Sequence, residues 1–167
     1  MDEPRCVLGI DPGLNITGYG VLQRHPQRAI VREAGVIRPG DAKLNLTERL
    51  KALYDGVLEL VEQFKPESMA VEQLYAHYAH PRTAILMGHA RGVIFLAAAQ
   101  GGVPVFSYSA TRIKKTVTGH GRASKEQVQR TIERELGLKK PPEPPDVADA
   151  LAVALCHLHL LKLPTNV

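Results

Sequence analysis

Cysteine is scarce in this chain. Cys6 and Cys156 are the only two in 167 residues, and two thiols build no disulfide framework. Each lies in an apolar stretch and reads as a small buried hydrophobe, so a reducing, cytoplasmic setting is expected. Long apolar runs are lacking as well. The longest are broken by His89 and Arg91, or by Asp149, His157 and His159. They fall short of the ~18 uninterrupted apolar residues of a membrane helix, and no membrane association is expected. The opening Met1-Asp2-Glu3-Pro4 is acidic and proline-bearing, unlike the basic start of a secretory signal. No G-x-S-x-G turn occurs, nor a cysteine with an evident histidine partner, which argues against nucleophilic catalysis by serine or cysteine. Seven histidines invite a metal reading, but His157 and His159, two apart on a helix, point apart and cannot chelate together. His77, His80 and His89 have no tight ligand spacing. His77 and His80 could reach a phosphate, as could His120 in its glycine-flanked loop.

The 44% apolar and 23% charged fractions are those of an ordinary globular protein and exclude wholesale disorder. The length fits a single domain spanning residues 1–167, large enough to bury a real core. The net charge of +4 is unevenly placed. Between Arg112 and Lys140 nine basic residues face three acids, a balance of +6 that leaves −2 for the remainder. One basic segment on a neutral-to-acidic body suggests a polyanion held at one surface. A solvated helix face is the bland alternative.

Periodicity then orders the chain. Residues Arg5 to Asp11 read as a buried strand ended by Pro12-Gly13. Thr17 to Gln23 and Ala29 to Arg38 read as the second and third strands, and their short connections predict an antiparallel meander. The spacing of Leu46, Leu50, Leu53, Val57 and Val61 predicts a helix over Asn45 to Phe64, with Asn45 and Glu48 forming a capping box. Ser68 to Glu72 is a short fourth strand. Thr83 to Gln100 is a helix rich in glycine and alanine, and Val103 to Tyr108 a fifth strand. Three helices follow: Ser109 to Thr118, Ser124 to Leu136, and Asp146 to about Leu161 after a stiff Pro-Pro-Glu-Pro-Pro spacer. No repeat or linker divides the chain. The expected fold class is α/β, a mixed five-stranded sheet with helices on both faces.

Four carboxylates stand out in this order. Asp11 and Glu72 end the first and fourth strands. If those strands are parallel neighbours, both acids emerge at the sheet edge where α/β proteins place their ligands. Asp146 and Asp149, three apart, share one face at the start of the last helix. Capping of the helix dipole accounts for Asp146 equally well. Asp149 precedes a long apolar run, so its surroundings should be largely buried. Four hard oxygen donors suit Mg²⁺ or Mn²⁺ far better than zinc. Two such ions clamped by shared carboxylates are the usual device for in-line phosphodiester hydrolysis.

At these residues the sequence resembles the RuvC-type Holliday-junction resolvases. The likeness lies in Gly9-Ile10-Asp11-Pro12-Gly13 with Thr17-Gly18-Tyr19-Gly20, in Ala70-Val71-Glu72-Gln73, in Gly88-His89-Ala90-Arg91-Gly92-Val93, and in Asp146-Val147-Ala148-Asp149-Ala150-Leu151-Ala152. It spans nearly the whole chain. It implies a ribonuclease-H-like fold, a Mg²⁺-dependent endonuclease cutting four-way DNA junctions in recombination and repair, and 5′-phosphate and 3′-hydroxyl ends. It also implies two ions per site, with Mn²⁺ as a substitute. Asp11, Glu72, Asp146 and Asp149 match the family's catalytic acids, and Lys114 and Lys125 its basic residues near the active site. Lys115 and Arg122 of the basic segment join these as candidate DNA contacts. Tyr75, three residues after Glu72, matches an aromatic held to stack on a base at the junction. The segment from Tyr75 to Pro81, with His77 and Tyr78, departs from the family pattern. A homodimer and a branch-migration helicase partner are likewise implied. The rivals are a related nuclease on structured RNA, a non-catalytic junction-binding protein, and an actin-like ATPase. The last needs a second domain and a second D-x-G loop that the chain lacks. Unused buried acids would be costly in a non-catalytic binder.

Overall fold

Side chains alternate across a strand, and along the first strand that alternation already sorts the molecule into two halves. Cys6, Leu8 and Ile10 face one core, whereas Val7 faces another. The structure is a computed structural model that describes residues 5–41, 43–74 and 80–162. It consists of β1 (Cys6–Asp11), β2 (Thr17–Gln23), β3 (Ile30–Ile37), α1 (Leu46–Phe64), β4 (Ser68–Glu72), α2 (Pro81–Gln100), β5 (Val105–Tyr108), α3 (Ala110–Thr118), α4 (Lys125–Leu136) and α5 (Pro145–Lys162). The sheet order is β3-β2-β1-β4-β5. The first three strands form the antiparallel meander, and β4 lies parallel to both β1 and β5. This is the expected mixed sheet. One core lies under α1 and α2, the other under α3, α4 and α5.

The helix signals act as read. Asn45 Oδ1 accepts from the Glu48 N–H at 2.9 Å while Glu48 returns the bond to the Asn45 N–H. Ser124 and Gln127 form a second such box, and Ser109 caps α3. Two helices start earlier than expected, α2 at Pro81 and α5 at Pro145. Proline lacks an N–H that a first turn could not use, and its φ suits that turn. Read as the end of a spacer, Pro145 is the first residue of the helix. β5 starts later than expected, at Val105. Val103 donates its N–H back to Ala98 in α2, and the Pro104 carbonyl is the first to meet β4.

Period two on β1 puts Gly9 on the α5 face along with Val7, and on β2 it puts Gly18 and Gly20 there along with Leu22. A methyl group at Gly9 would collide with the Ala150 carbonyl, and one at Gly18 with the Asp146 carbonyl. At Gly20 it would come within 2.5 Å of Leu151 Cδ2. The glycines therefore let α5 lie directly on the strand backbones. α2 is the helix among the described residues that is long and apolar enough in composition to cross a membrane. Here it lies on the opposite face of the sheet, with Ala90, Ile94, Ala97 and Ala98 buried in the core beneath it.

Gly9→Ala should force α5 away from β1 and cost about 1–3 kcal/mol. The expected result is a fall of several degrees in the thermal unfolding midpoint. An unchanged midpoint would mean that α5 does not depend on this close approach.

Candidate active site

Asp11 and Glu72 owe their common position to the same alternation. Asp11 follows Val7 and Gly9 on the α5 face of β1, and Glu72 follows Ser68 and Ala70 on the α5 face of β4. Because β1 and β4 are parallel neighbours, both acids leave the same edge of the sheet. The loop after Asp11 is fastened by Thr17, whose hydroxyl donates to the Gly13 carbonyl at 2.6 Å and accepts from the Gly13 N–H at 3.1 Å. Arg49 of α1 holds the same loop through the Leu14 carbonyl at 2.8 Å. Asp146 and Asp149 reach this edge from above, since α5 rests on the glycines.

The electrostatics confirm that the four acids share one neighbourhood. Burial pushes Asp11 up from 3.8 to about 7, helped by repulsion from Asp149, Asp146 and Glu72. Burial and Asp149 also raise Glu72, against the pull of Lys114, Lys125 and Arg91. Burial raises Asp149 as well, opposed by Lys125, whose ammonium lies 3.7 Å from Asp149 Oδ2. Glu72, Asp149, Lys114 and Lys125 line one open cleft of about 260 Å³, together with Ala110, Ile113, Val128 and Ala152. No three Asp, Glu, His or Cys side chains among the described residues are drawn into a finished cage for an ion. The carboxylates repel one another, and Asp149 lies against Lys125. The donor set nevertheless fits a hard divalent cation: every ligand is a carboxylate, and mutual repulsion is what such an ion would relieve.

The basic segment divides between two surfaces. Lys114 and Lys125 face the acids. Lys115 lies on another face of α3, lining a separate hollow with Arg112 and His159. Arg122 and His120 are exposed in the loop between α3 and α4. Tyr75, His77 and Tyr78 lie outside the described residues, and His80 is exposed just before α2. His157 and His159 do point apart. His159 Nε2 is 2.8 Å from Glu135, whereas His157 is buried, with Ser68 Oγ 2.9 Å from Nε2 and the Tyr108 hydroxyl 2.6 Å from Nδ1. Sequence reasoning passed over Arg91, whose Nη1 donates to the Glu72 carbonyl. The available signal was its place in the motif from Gly88 to Val93.

A family model described as crossover junction endodeoxyribonuclease RuvC matches residues 7–157. The chain belongs to the RuvC family. A RuvC of Rhodopirellula baltica is 53% identical over 161 residues, covering 96% of this chain and 90% of the relative. A RuvC of Pelotomaculum thermopropionicum is 46% identical and covers 92% of each. Among solved structures, Thermus thermophilus RuvC in complex with Holliday junction substrate superposes with a TM-score of 0.89 at 35% identity, over 95% of both chains. The fold is accordingly ribonuclease-H-like, and the RuvC motifs Gly9–Gly13, Ala70–Gln73 and Asp146–Ala152 are those that converge at the sheet edge.

With its raised proton affinity, Asp11 binds a proton more readily folded than unfolded. Without metal, stability should therefore fall as pH rises from about 4 to about 7, and Glu72 and Asp149 act in the same direction. In chelator, the unfolding midpoint should be lower at about pH 8 than at about pH 5.5, and Asp11→Asn should flatten the difference. A midpoint that climbs over this window in the unaltered protein would contradict the crowding of acids described above.

Proposed function

We propose that this chain is a divalent-metal-dependent endonuclease that resolves four-way DNA junctions by paired strand cleavage. The observation that carries the reading is the cleft in which half-buried, mutually repelling carboxylates meet Lys114 and Lys125, in a chain of the RuvC family. The junction bound to the Thermus relative supports the choice of substrate. Asp11, Glu72, Asp146 and Asp149 would hold two ions, Mg²⁺ or Mn²⁺. When bound, such ions activate water and stabilise the leaving oxygen in phosphodiester hydrolysis. Lys114 and Lys125 would grip the scissile phosphate through charge-assisted bonds. Lys125 would release Asp149 as it does so. Water adds across the bond between phosphorus and the 3′ oxygen. The 3′ oxygen leaves with a proton as hydroxyl, and the phosphate stays on the 5′ side, so the two ends can be rejoined. Lys115 and Arg122, outside this cleft, would meet the arms of the junction.

A two-fold substrate calls for two such sites, which a symmetric dimer supplies. α2 offers the surface. Ile85 is 62% and Leu96 57% exposed, and a Cβ at Gly88 or Gly92 would meet nothing within 4 Å. This apolar, small-residue stripe suits close approach by a second copy of the helix. Cytoplasmic residence and work alongside a branch-migration helicase complete the reading, both on family likeness.

The deciding experiment incubates the protein with labelled four-way junction, linear duplex and RNA–DNA hybrid, with and without Mg²⁺. Paired nicks in the junction, dependent on Mg²⁺, are expected. Asp11→Asn, Glu72→Gln, Asp146→Asn and Asp149→Asn should each abolish cutting while sparing junction binding. Preference for the hybrid, or near-normal cutting by any of the four variants, would overturn the corresponding assignment.

Sedimentation at micromolar concentration should give about twice the 18.3 kDa chain mass. Leu96→Glu should shift it toward the monomer. A monomer with and without junction would remove the symmetric mechanism.

A further inference from the structure

The pairing of β4 with β1 runs only to Ile10 and Val71, so Glu72 stands one residue beyond that ladder. On the other side, the Gln73 N–H donates to the Tyr108 carbonyl at 2.8 Å, tying the chain just after Glu72 to β5. The Glu72 carbonyl itself accepts from Arg91 Nη1. Arg91 comes from α2, the helix on the opposite face of the sheet from α5, and reaches round the strand end. Its guanidinium also lies 5.1 Å from the centroid of the Phe95 ring, one turn along the same helix. A half-buried arginine is expensive to desolvate unless its donors are engaged. Here Nη1 is engaged on the backbone of the residue that carries one of the four acids. Arg91 also neighbours the stripe of Gly88, Gly92 and Leu96 on the helix surface.

We propose that Arg91 is a positioning residue. By holding the Glu72 carbonyl it fixes where the end of β4 delivers the carboxylate, and it joins that carboxylate to the helix bearing the exposed apolar stripe. This rests on the reading of Glu72 as a metal-binding group. Such a backbone anchor acts as an outer-shell partner does, and losing one typically costs 10–100-fold in metal affinity or activity. Lysine would keep the charge but not the planar fork that spans the carbonyl and the Phe95 ring.

The test compares Arg91→Gln and Arg91→Lys with the unaltered protein in four measurements. These are single-turnover junction cleavage against Mg²⁺ concentration, junction affinity in EDTA, sedimentation, and the rise in unfolding midpoint on adding Mn²⁺. Arg91→Gln should need roughly 10-fold or more Mg²⁺ for half-maximal cleavage and show a smaller Mn²⁺-induced rise. Its junction affinity and mass should not change. Arg91→Lys should fall between. The proposal is overturned by wild-type metal dependence in Arg91→Gln, by a loss of junction affinity equal to the loss of cleavage, or by failure of both variants to fold. The first outcome means no role at the site, the second a DNA contact, and the third a purely structural residue. If the unaltered protein cuts no junction, the proposed function fails. The Mn²⁺-induced midpoint shift then still decides whether Arg91 governs the carboxylate.

Discussion

Everything at the acidic edge depends on how closely α5 approaches the sheet. Helices usually rest on side chains, but α5 rests on the backbones of β1 and β2 because Gly9, Gly18 and Gly20 leave room for it. That contact brings the carbonyl of Asp146 against β2, and so puts the first turn of α5 over the end of β1. The proline-led start of the helix serves the same purpose, since it lets the regular structure begin one residue before the first acid. Raise the helix by the thickness of a methyl group and Asp146 and Asp149 move away from Asp11. Packing and chemistry share one constraint here, and it is written mainly in residues that have no side chain.

The electrostatic consequence is an edge under strain. Burial opposes charge on Asp11, Glu72 and Asp149, and each repels at least one of the others. Lys125 relieves part of this at Asp149, at a distance and exposure that make the pair a weak one. On the proposed function, such a site would trade stability for readiness to bind a cation. Two lysines, Lys114 and Lys125, line the cleft beside Glu72 and Asp149.

Much of this was legible in the sequence, for identifiable reasons. Capping boxes at Asn45 and Ser124 are local devices, and local devices fold as written. The placement of Asp11 and Glu72 followed from period two and from the switch between antiparallel and parallel connections. The basic segment was harder to read. Charge counted along the chain cannot show that Lys114 and Lys115, adjacent in sequence, line different hollows, because a helix turns about 100° between them. Pro145 misled because a run of prolines looks like a spacer until its last member proves to be the first turn of a helix. Arg91 was missed for a further reason. Its partner is a backbone carbonyl, and a carbonyl has no signature in the sequence.

The two faces of the sheet divide the work, and that division limits how the molecule can be built into an assembly. Lys114 and Lys125 line the cleft on the side of α3, α4 and α5, which is where the proposed function has DNA approach. The apolar stripe of α2 lies on the other side, so a partner seated there leaves the cleft open. On the proposed function, contacts to substrate and to a second copy would therefore not compete for surface. They meet only at the strand ends, where β1 and β4 stop pairing and the backbone is free to be gripped from either side. α5 supplies its carboxylates to that point from one face, and Arg91 reaches the same point from the other. At this sheet edge, through the Arg91 contact, events on α2 could alter the geometry of the acids without disturbing either hydrophobic core.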